Sequence, residues 1–256
     1  MSVSVNFVAE GPEDGPVVVL SGSIGSDLRM WEAQVGPLTS AGYRVVRVDH
    51  RGHGGSPVPE GPYRLADLGG DAVGLLDRLG VERAHWVGLS LGGMVGMWLG
   101  ENAGERLASL TLCCTAAELP PVNWADRARI VREKGMGWLA ETSMNRWFTA
   151  GWQRDNPEGV RYFSAMVASQ PIEGYVSCCA AIETMDIAAG LGGITTPTLV
   201  ISGADDPATT PEDGRRIAAA IPGARFEIVG PGAHLATTEA AAQVNPLILE
   251  HVKENS

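Results

Sequence analysis

Ser90 stands in Gly88-Leu89-Ser90-Leu91-Gly92-Gly93, with a glycine two residues before it and another two after. A serine on a tight strand-to-helix turn has its hydroxyl lifted clear of the sheet. Glycines at those offsets remove Cβ atoms that would collide across the turn. The helix that follows aims its free N–H groups and positive dipole end at the same spot, favouring a developing negative charge. The chemistry is nucleophilic attack on an acyl carbon. A phosphate-cradling loop would need the GxxxxGK[ST] lysine or GxGxxG spacing, and neither is present.

A serine hydroxyl is a weak nucleophile until a base takes its proton, and the base needs an acid to orient it. His234 lies in the glycine-rich stretch Gly230-Pro231-Gly232-Ala233-His234, after the last strand-like run. The chain order serine, acid, histidine puts the base there. His85 and His251 fall inside a strand and a helix, where packing or a surface position accounts for them. His50 and His53 sit in the turn Asp49-His50-Arg51-Gly52-His53-Gly54 and read as structural. The acid belongs at the end of the preceding strand, where Leu199 to Pro207 supplies Asp205 and Asp206. Asp206 is favoured over Asp205 because the Gly-x-x-Asp spacing places it beyond the strand end; turn chemistry before Pro207 is the plainer reading open for either. In Ser21-Gly22-Ser23-Ile24-Gly25, the Ser23 N–H could join that of Leu91 in binding the tetrahedral oxygen. Ile24 is the alternative if the loop register is one residue longer. One such donor is worth about 3 kcal/mol in the transition state.

Six brief apolar runs must carry these groups: 17–21, 45–49, 85–89, 107–113, 198–202 and 226–229. Their composition suits strands buried on both faces of a mostly parallel sheet. Helical periodicity occupies 31–40, 65–79, 91–102, 211–221 and 239–253, and Gly80 is placed to stop the second. Strand and helix in alternation predict an α/β fold with helices on both sheet faces. Segments 3–8 and 17–20 predict an antiparallel hairpin.

Between 118 and 186 no strand pattern occurs, and four of the seven tryptophans fall there: Trp124, Trp138, Trp147 and Trp152. Pro120-Pro121, Gly135, Gly137, Pro157 and Pro171 punctuate it. This predicts a helical lid inserted between two strands, over the sheet end where ligands bind in open α/β folds. The division is then 1–117 plus 187–256 for the core and 118–186 for the lid.

With 256 residues, 45% of them hydrophobic and 19% charged, the chain can close one sizeable core. A net charge of -11 argues against nucleic acid and anionic membrane surfaces as partners. No apolar run reaches the roughly 20 residues of a membrane span, and the first residues lack the basic start of a secretory signal. The cysteines form adjacent pairs, Cys113-Cys114 and Cys178-Cys179, unsuited to unstrained disulfides or to metal spacing. Reduced thiols predict a cytoplasmic protein. No metal or organic cofactor is called for, and the oligomeric state stays open.

Taken together, these residues resemble the α/β-hydrolases, and more narrowly the 3-oxoadipate enol-lactonases. Ser21 to Gly25 is similar to that family's Ser-Asn-Ser-Leu-Gly loop, with Gly22 replacing the amide. Arg51-Gly52-His53-Gly54-Gly55-Ser56 fits its Arg-Gly-His-Gly-x-Ser turn, and Gly88 to Gly93 fits its elbow. Gly174 to Ile182 resembles a lid stretch that general esterases lack, which makes the Cys178-Cys179 pair a packing feature. Gly203 to Thr209 and Gly232 to Leu235 complete the likeness. The resemblance implies opening of a lactone ring that bears a free carboxylate, in bacterial protocatechuate or catechol breakdown. It makes Arg51, Arg127 and Arg146 candidate partners for that carboxylate, with Ile24, Trp124 and Trp147 as further substrate contacts. Gly22 and His50 near the expected mouth leave room for a related lactone. Other activities of the fold are a carboxylesterase, a perhydrolase and a carbon–carbon bond hydrolase. A non-catalytic small-ligand receptor usually lacks a triad member, and none is lacking here.

Overall fold

The computed structural model describes residues 2–118 and 124–256, so the Pro120-Pro121 break lies outside the described residues. Seven strands form one sheet: β1 (Phe7–Glu10), β2 (Val17–Ser21), β3 (Arg44–Val48), β4 (Ala84–Leu89), β5 (Leu107–Cys113), β6 (Thr198–Gly203) and β7 (Arg225–Val229). Their order is β1-β3-β2-β4-β5-β6-β7. All neighbours run parallel except β1, which pairs antiparallel with β3. The hairpin expected between the first two strands therefore does not form. Both edges of β2 are taken by β3 and β4, so β1 finds hydrogen-bonding partners only on the outer side of β3.

Every residue of β2, β4 and β6 is buried, as continuous apolar runs require in a parallel sheet covered on both sides. The helices α1 (Glu32–Ser40), α2 (Leu65–Leu79) and α3 (Leu91–Asn102) alternate with the first strands. In α2 the residues Leu65, Leu68, Ala72, Leu75 and Leu76 turn inward, and Gly80 ends the helix at φ 65°. A short 3-10 turn at Leu28–Trp31 precedes the first expected helix, and the last expected segment is broken at Ala240 into two helices.

Among the described residues, four α-helices separate β5 from β6: α4 (Trp124–Trp147), α5 (Ala150–Asp155), α6 (Pro157–Ala168) and α7 (Ile172–Glu183). Gly135, at φ 79°, breaks α4 in two. The insertion has its own aromatic core, in which Phe148 stacks on Trp152 at 3.9 Å and Phe163 lies edge-on to both Trp147 and Tyr162. After β6 come α8 (Pro211–Ala220), then β7, α9 (Ala236–Glu239) and α10 (Ala241–Glu254). Backbone bonds tie the end of α4 to the loop after β7: His234 N–H donates to the Arg146 carbonyl (3.3 Å) and Leu235 N–H to that of Trp147 (2.9 Å). Among the described residues no helix is long and apolar enough to cross a membrane. All four cysteines are buried free thiols.

His53 and His85 are buried in this frame, and both imidazoles are pulled down to about 4. Burial is the main cause; His50 adds to it for His53, and His251 and Arg83 for His85. Between about pH 6.5 and 4 the unfolded chain therefore binds more protons than the folded one. Stability is whole above that window and falls as pH drops through it. Melting temperature measured from about pH 7.5 to about 4.5 is expected to decline, with a shallower slope for His85→Gln. Parallel curves for the two proteins would remove His85 from the effect.

Candidate active site

Ser90 joins β4 to α3 at φ 56° and ψ -113°, a strained conformation for a residue with a Cβ. Its N–H donates to the Cys113 carbonyl (3.0 Å), and its own carbonyl accepts from the Thr115 hydroxyl (2.8 Å). A Cβ on Gly88 would strike the Gly92 carbonyl, and one on Gly92 would strike that of Ser21. The glycines expected from the spacing are therefore needed for backbone approach. Gly92 N–H donates to the Gly22 carbonyl at 2.9 Å, tying the elbow to the loop after β2.

Asp206 follows β6. Its Oδ1 accepts the N–H groups of Ala208 (2.8 Å) and Thr209 (3.1 Å), and its Oδ2 accepts the Thr209 hydroxyl (2.8 Å). The same Oδ2 lies 2.9 Å from His234 Nδ1. Burial alone would raise this carboxyl; the His234 charge and these hydrogen bonds outweigh it and hold the group below the usual aspartate range. An Nδ1 facing a carboxylate carries the ring proton, which leaves Nε2 as the basic nitrogen. Asp205 is engaged elsewhere: its carboxylate accepts Gly232 N–H (3.2 Å), and its own N–H donates to the Gly232 carbonyl (2.9 Å). It braces the histidine loop, and Asp206 alone of the pair meets the imidazole.

Ser90 and His234 line one cavity of about 240 Å³ with Ser23, Ile24, Trp124, Arg127, Arg146 and Trp147. Met94, Ile182, Pro207, Ala208 and Thr209 complete its wall. No hydrogen bond joins the Ser90 hydroxyl to His234 among the described residues. Such catalytic bonds commonly tighten only once substrate is bound. Leu91 N–H and Ile24 N–H have no acceptor among the described residues. Ser23 N–H is directed at Met30 Sδ, 3.4 Å away, a weak acceptor that an oxyanion outcompetes. A larger cavity of about 630 Å³ lies between the 58–62 loop and α4 with α7; it shares Trp124 but contains none of Ser90, Asp206 and His234.

Of the three arginines, Arg127 and Arg146 reach this cavity and Arg51 does not. Arg51 Nε and Nη2 fork onto the buried Asp71 carboxylate at 2.6 and 2.7 Å, so its charge is spent inside the fold. His50 is likewise withdrawn from the mouth: its Nε2 lies 3.0 Å from the Gly22 carbonyl and 3.3 Å from the Ser21 hydroxyl. Gly22 faces Met30 Sδ and the Ser26 hydroxyl, behind the loop. The departure from the amide therefore falls outside the cavity wall. Burial, and then the neighbouring Arg127, pull the Arg146 guanidinium down to about 10. Sequence reasoning missed Thr209, whose hydroxyl braces the acid, and Met94 and Ile182, whose apolar side chains carry no chemical signal.

The profile described as alpha/beta hydrolase fold matches residues 15–241. The chain is 38% identical to 3-oxoadipate enol-lactonase 2 of Acinetobacter baylyi over 244 residues, 95% of this chain and 91% of the relative. The crystal structure of the enol-lactonase from Burkholderia xenovorans LB400 superposes with a TM-score of 0.94 at 38% identity, covering 97% of this chain and 96% of the other. A hydrolase from Pseudomonas aeruginosa PA01 gives a TM-score of 0.94 at 40% identity, covering 98% and 94%. The chain is thus a hydrolase of the α/β-hydrolase fold family, and within it belongs with the 3-oxoadipate enol-lactonases.

Proposed function

We propose that this hydrolase opens the lactone ring of 3-oxoadipate enol-lactone to give 3-oxoadipate, in the bacterial breakdown of protocatechuate or catechol. The observation that carries the reading is the pairing of Arg127 and Arg146 in the cavity of Ser90 and His234, with no carboxylate among the described residues of its wall. Two guanidiniums without a counter-ion are costly in a partly desolvated site, and an incoming carboxylate relieves that cost. On a chain of net charge -11 the pair also supplies the local attraction that an anion needs. The identity to the Acinetobacter baylyi enol-lactonase supports the same substrate class.

In this mechanism Ser90 Oγ attacks the lactone carbonyl carbon while His234 Nε2 takes its proton. The carbonyl oxygen becomes an oxyanion facing the N–H groups of Leu91 and of Ser23, with Ile24 beside them. Collapse breaks the ring C–O bond and expels the enol oxygen, which takes the proton from His234. Water, deprotonated by the same imidazole, then cleaves the Ser90 ester. The released enol becomes the ketone in solution. Asp206 holds the Nδ1 tautomer and stabilises the imidazolium formed in both halves. Reduced cysteines fit a cytoplasmic setting.

The direct test is to generate 3-oxoadipate enol-lactone in situ and follow its ultraviolet loss with and without protein. No acceleration would overturn the assignment, and faster turnover of p-nitrophenyl acetate than of the lactone would favour a general carboxylesterase. Ser90→Ala is expected to abolish turnover with the melting temperature retained. Asp206→Asn should lower kcat on the order of 10⁴-fold by misplacing the imidazole proton. Arg146→Met should raise KM for the lactone about 10- to 100-fold, the value of a charge-assisted hydrogen bond. KM for p-nitrophenyl acetate, which bears no carboxylate, should stay unchanged; an equal rise for both substrates would take Arg146 out of anion recognition.

A further inference from the structure

The proposed reaction makes no use of the turn at residues 49–56, yet a histidine of that turn reaches the oxyanion loop. His53 is fully buried, and its Nε2 accepts the Gly25 N–H at 3.0 Å. An accepting Nε2 places the ring proton on Nδ1, which faces the Arg51 carbonyl at 3.4 Å. Gly25 is the third residue of a turn closed by Ser26 N–H on the Ser23 carbonyl (3.1 Å), and its φ of 83° makes that turn type II. Types I and II differ mainly by rotation of the central peptide, here the one joining Ile24 to Gly25. The Ser26 N–H and hydroxyl close the turn on Ser23 in either form and so do not choose between them. The choice is made by what holds the Gly25 N–H.

We propose that His53 is a positioning residue, whose Nε2 holds the Ile24–Gly25 peptide and so anchors in place the turn that presents the Ser23 and Ile24 N–H groups to the oxyanion. This rests on the acyl-enzyme reading above. The groups facing the ring are His50 on its own turn, Asp27 after the oxyanion loop, and Tyr175 and Cys178 on α7. Asp27 is paired with Arg29, and burial keeps His50 neutral, so neither displaces the Gly25 bond near neutral pH. Burial first, and His50 second, also keep His53 in its accepting form there.

His53→Gln retains an acceptor oxygen, whereas His53→Leu fills the space without one. Both are measured with p-nitrophenyl acetate and with phenylboronic acid, which bonds to the serine as a tetrahedral adduct. His53→Leu is expected to lower kcat about 100-fold and weaken the boronate by a similar factor, with KM within about twofold. His53→Gln should recover kcat to within about tenfold of the parent. Unchanged kcat in His53→Leu, a loss confined to KM, or a His53→Gln as impaired as His53→Leu would each overturn the proposal. If His53→Leu does not fold, boronate affinity of His53→Gln decides: near-parental binding supports the proposal, and loss overturns it. The lactone assignment fails separately, since only the parent protein's action on the lactone tests it.

Discussion

Ser90 keeps a left-handed backbone in a residue that has a Cβ, at a cost of about 1–3 kcal/mol. That cost is sustained by close backbone approach on every side. Gly88 lies against Gly92, and Gly92 against Ser21; Cys113 and Thr115 pin the serine's own peptide groups from the next strand and the loop beyond it. Because Gly92 also donates to the Gly22 carbonyl, Ser90 and the loop after β2 cannot shift independently. The parallel neighbours β2, β4 and β5 supply this rigidity. The reactive turn sits where their carboxyl ends come together, so sheet register sets the geometry of the serine.

Charge governs the other side of the cavity. Asp206 and His234 form a buried pair with two backbone N–H groups and a hydroxyl satisfying the remaining oxygen sites, the condition under which a buried charge is tolerated. Arg127 and Arg146 are treated in the opposite way. Arg127 lies over the rings of Trp124 and Tyr175, and its Nε has no hydrogen-bond partner among the described residues. Arg51 shows the contrast within one chain, since its guanidinium is fully matched by Asp71. One arginine is spent inside the fold, while the other two line the cavity of Ser90 and His234.

The α/β alternation was legible because buried parallel strands write themselves as short apolar runs, and the elbow was legible because only glycine fits its flanks. Asp206 could be separated from Asp205 by its distance beyond the strand. Three features were not legible. The pairing of β1 depends on which strand edges remain vacant, a property of the assembled sheet. Arg51 and His50 resemble site residues by position in the chain, yet their partners Asp71 and Gly22 come from elsewhere and turn them inward. The bracing by Thr209 and the Met30 contact to Ser23 N–H need side-chain directions that spacing does not encode.

The insertion is bound to the loop that carries His234. His234 N–H and Leu235 N–H end on carbonyls of Arg146 and Trp147, and the Glu239 carboxylate receives both Ala233 N–H and the Thr149 N–H. Arg146, whose guanidinium lines the cavity, thus also offers its carbonyl to the His234 N–H. A displacement of the α4 end that carries the Arg146 backbone with it must strain the hydrogen bond from His234 N–H to the Arg146 carbonyl. At the other end of the insertion, Gly174 of α7 lies directly on Gly52, within the turn that carries His53. The inserted helices therefore meet the core at two points, one beside His234 and one behind the loop at Ser23 to Ser26. The insertion and the core thus pack as one unit around Ser90 and His234, so a change in the insertion's sequence acts on the cavity wall and on the loops behind it.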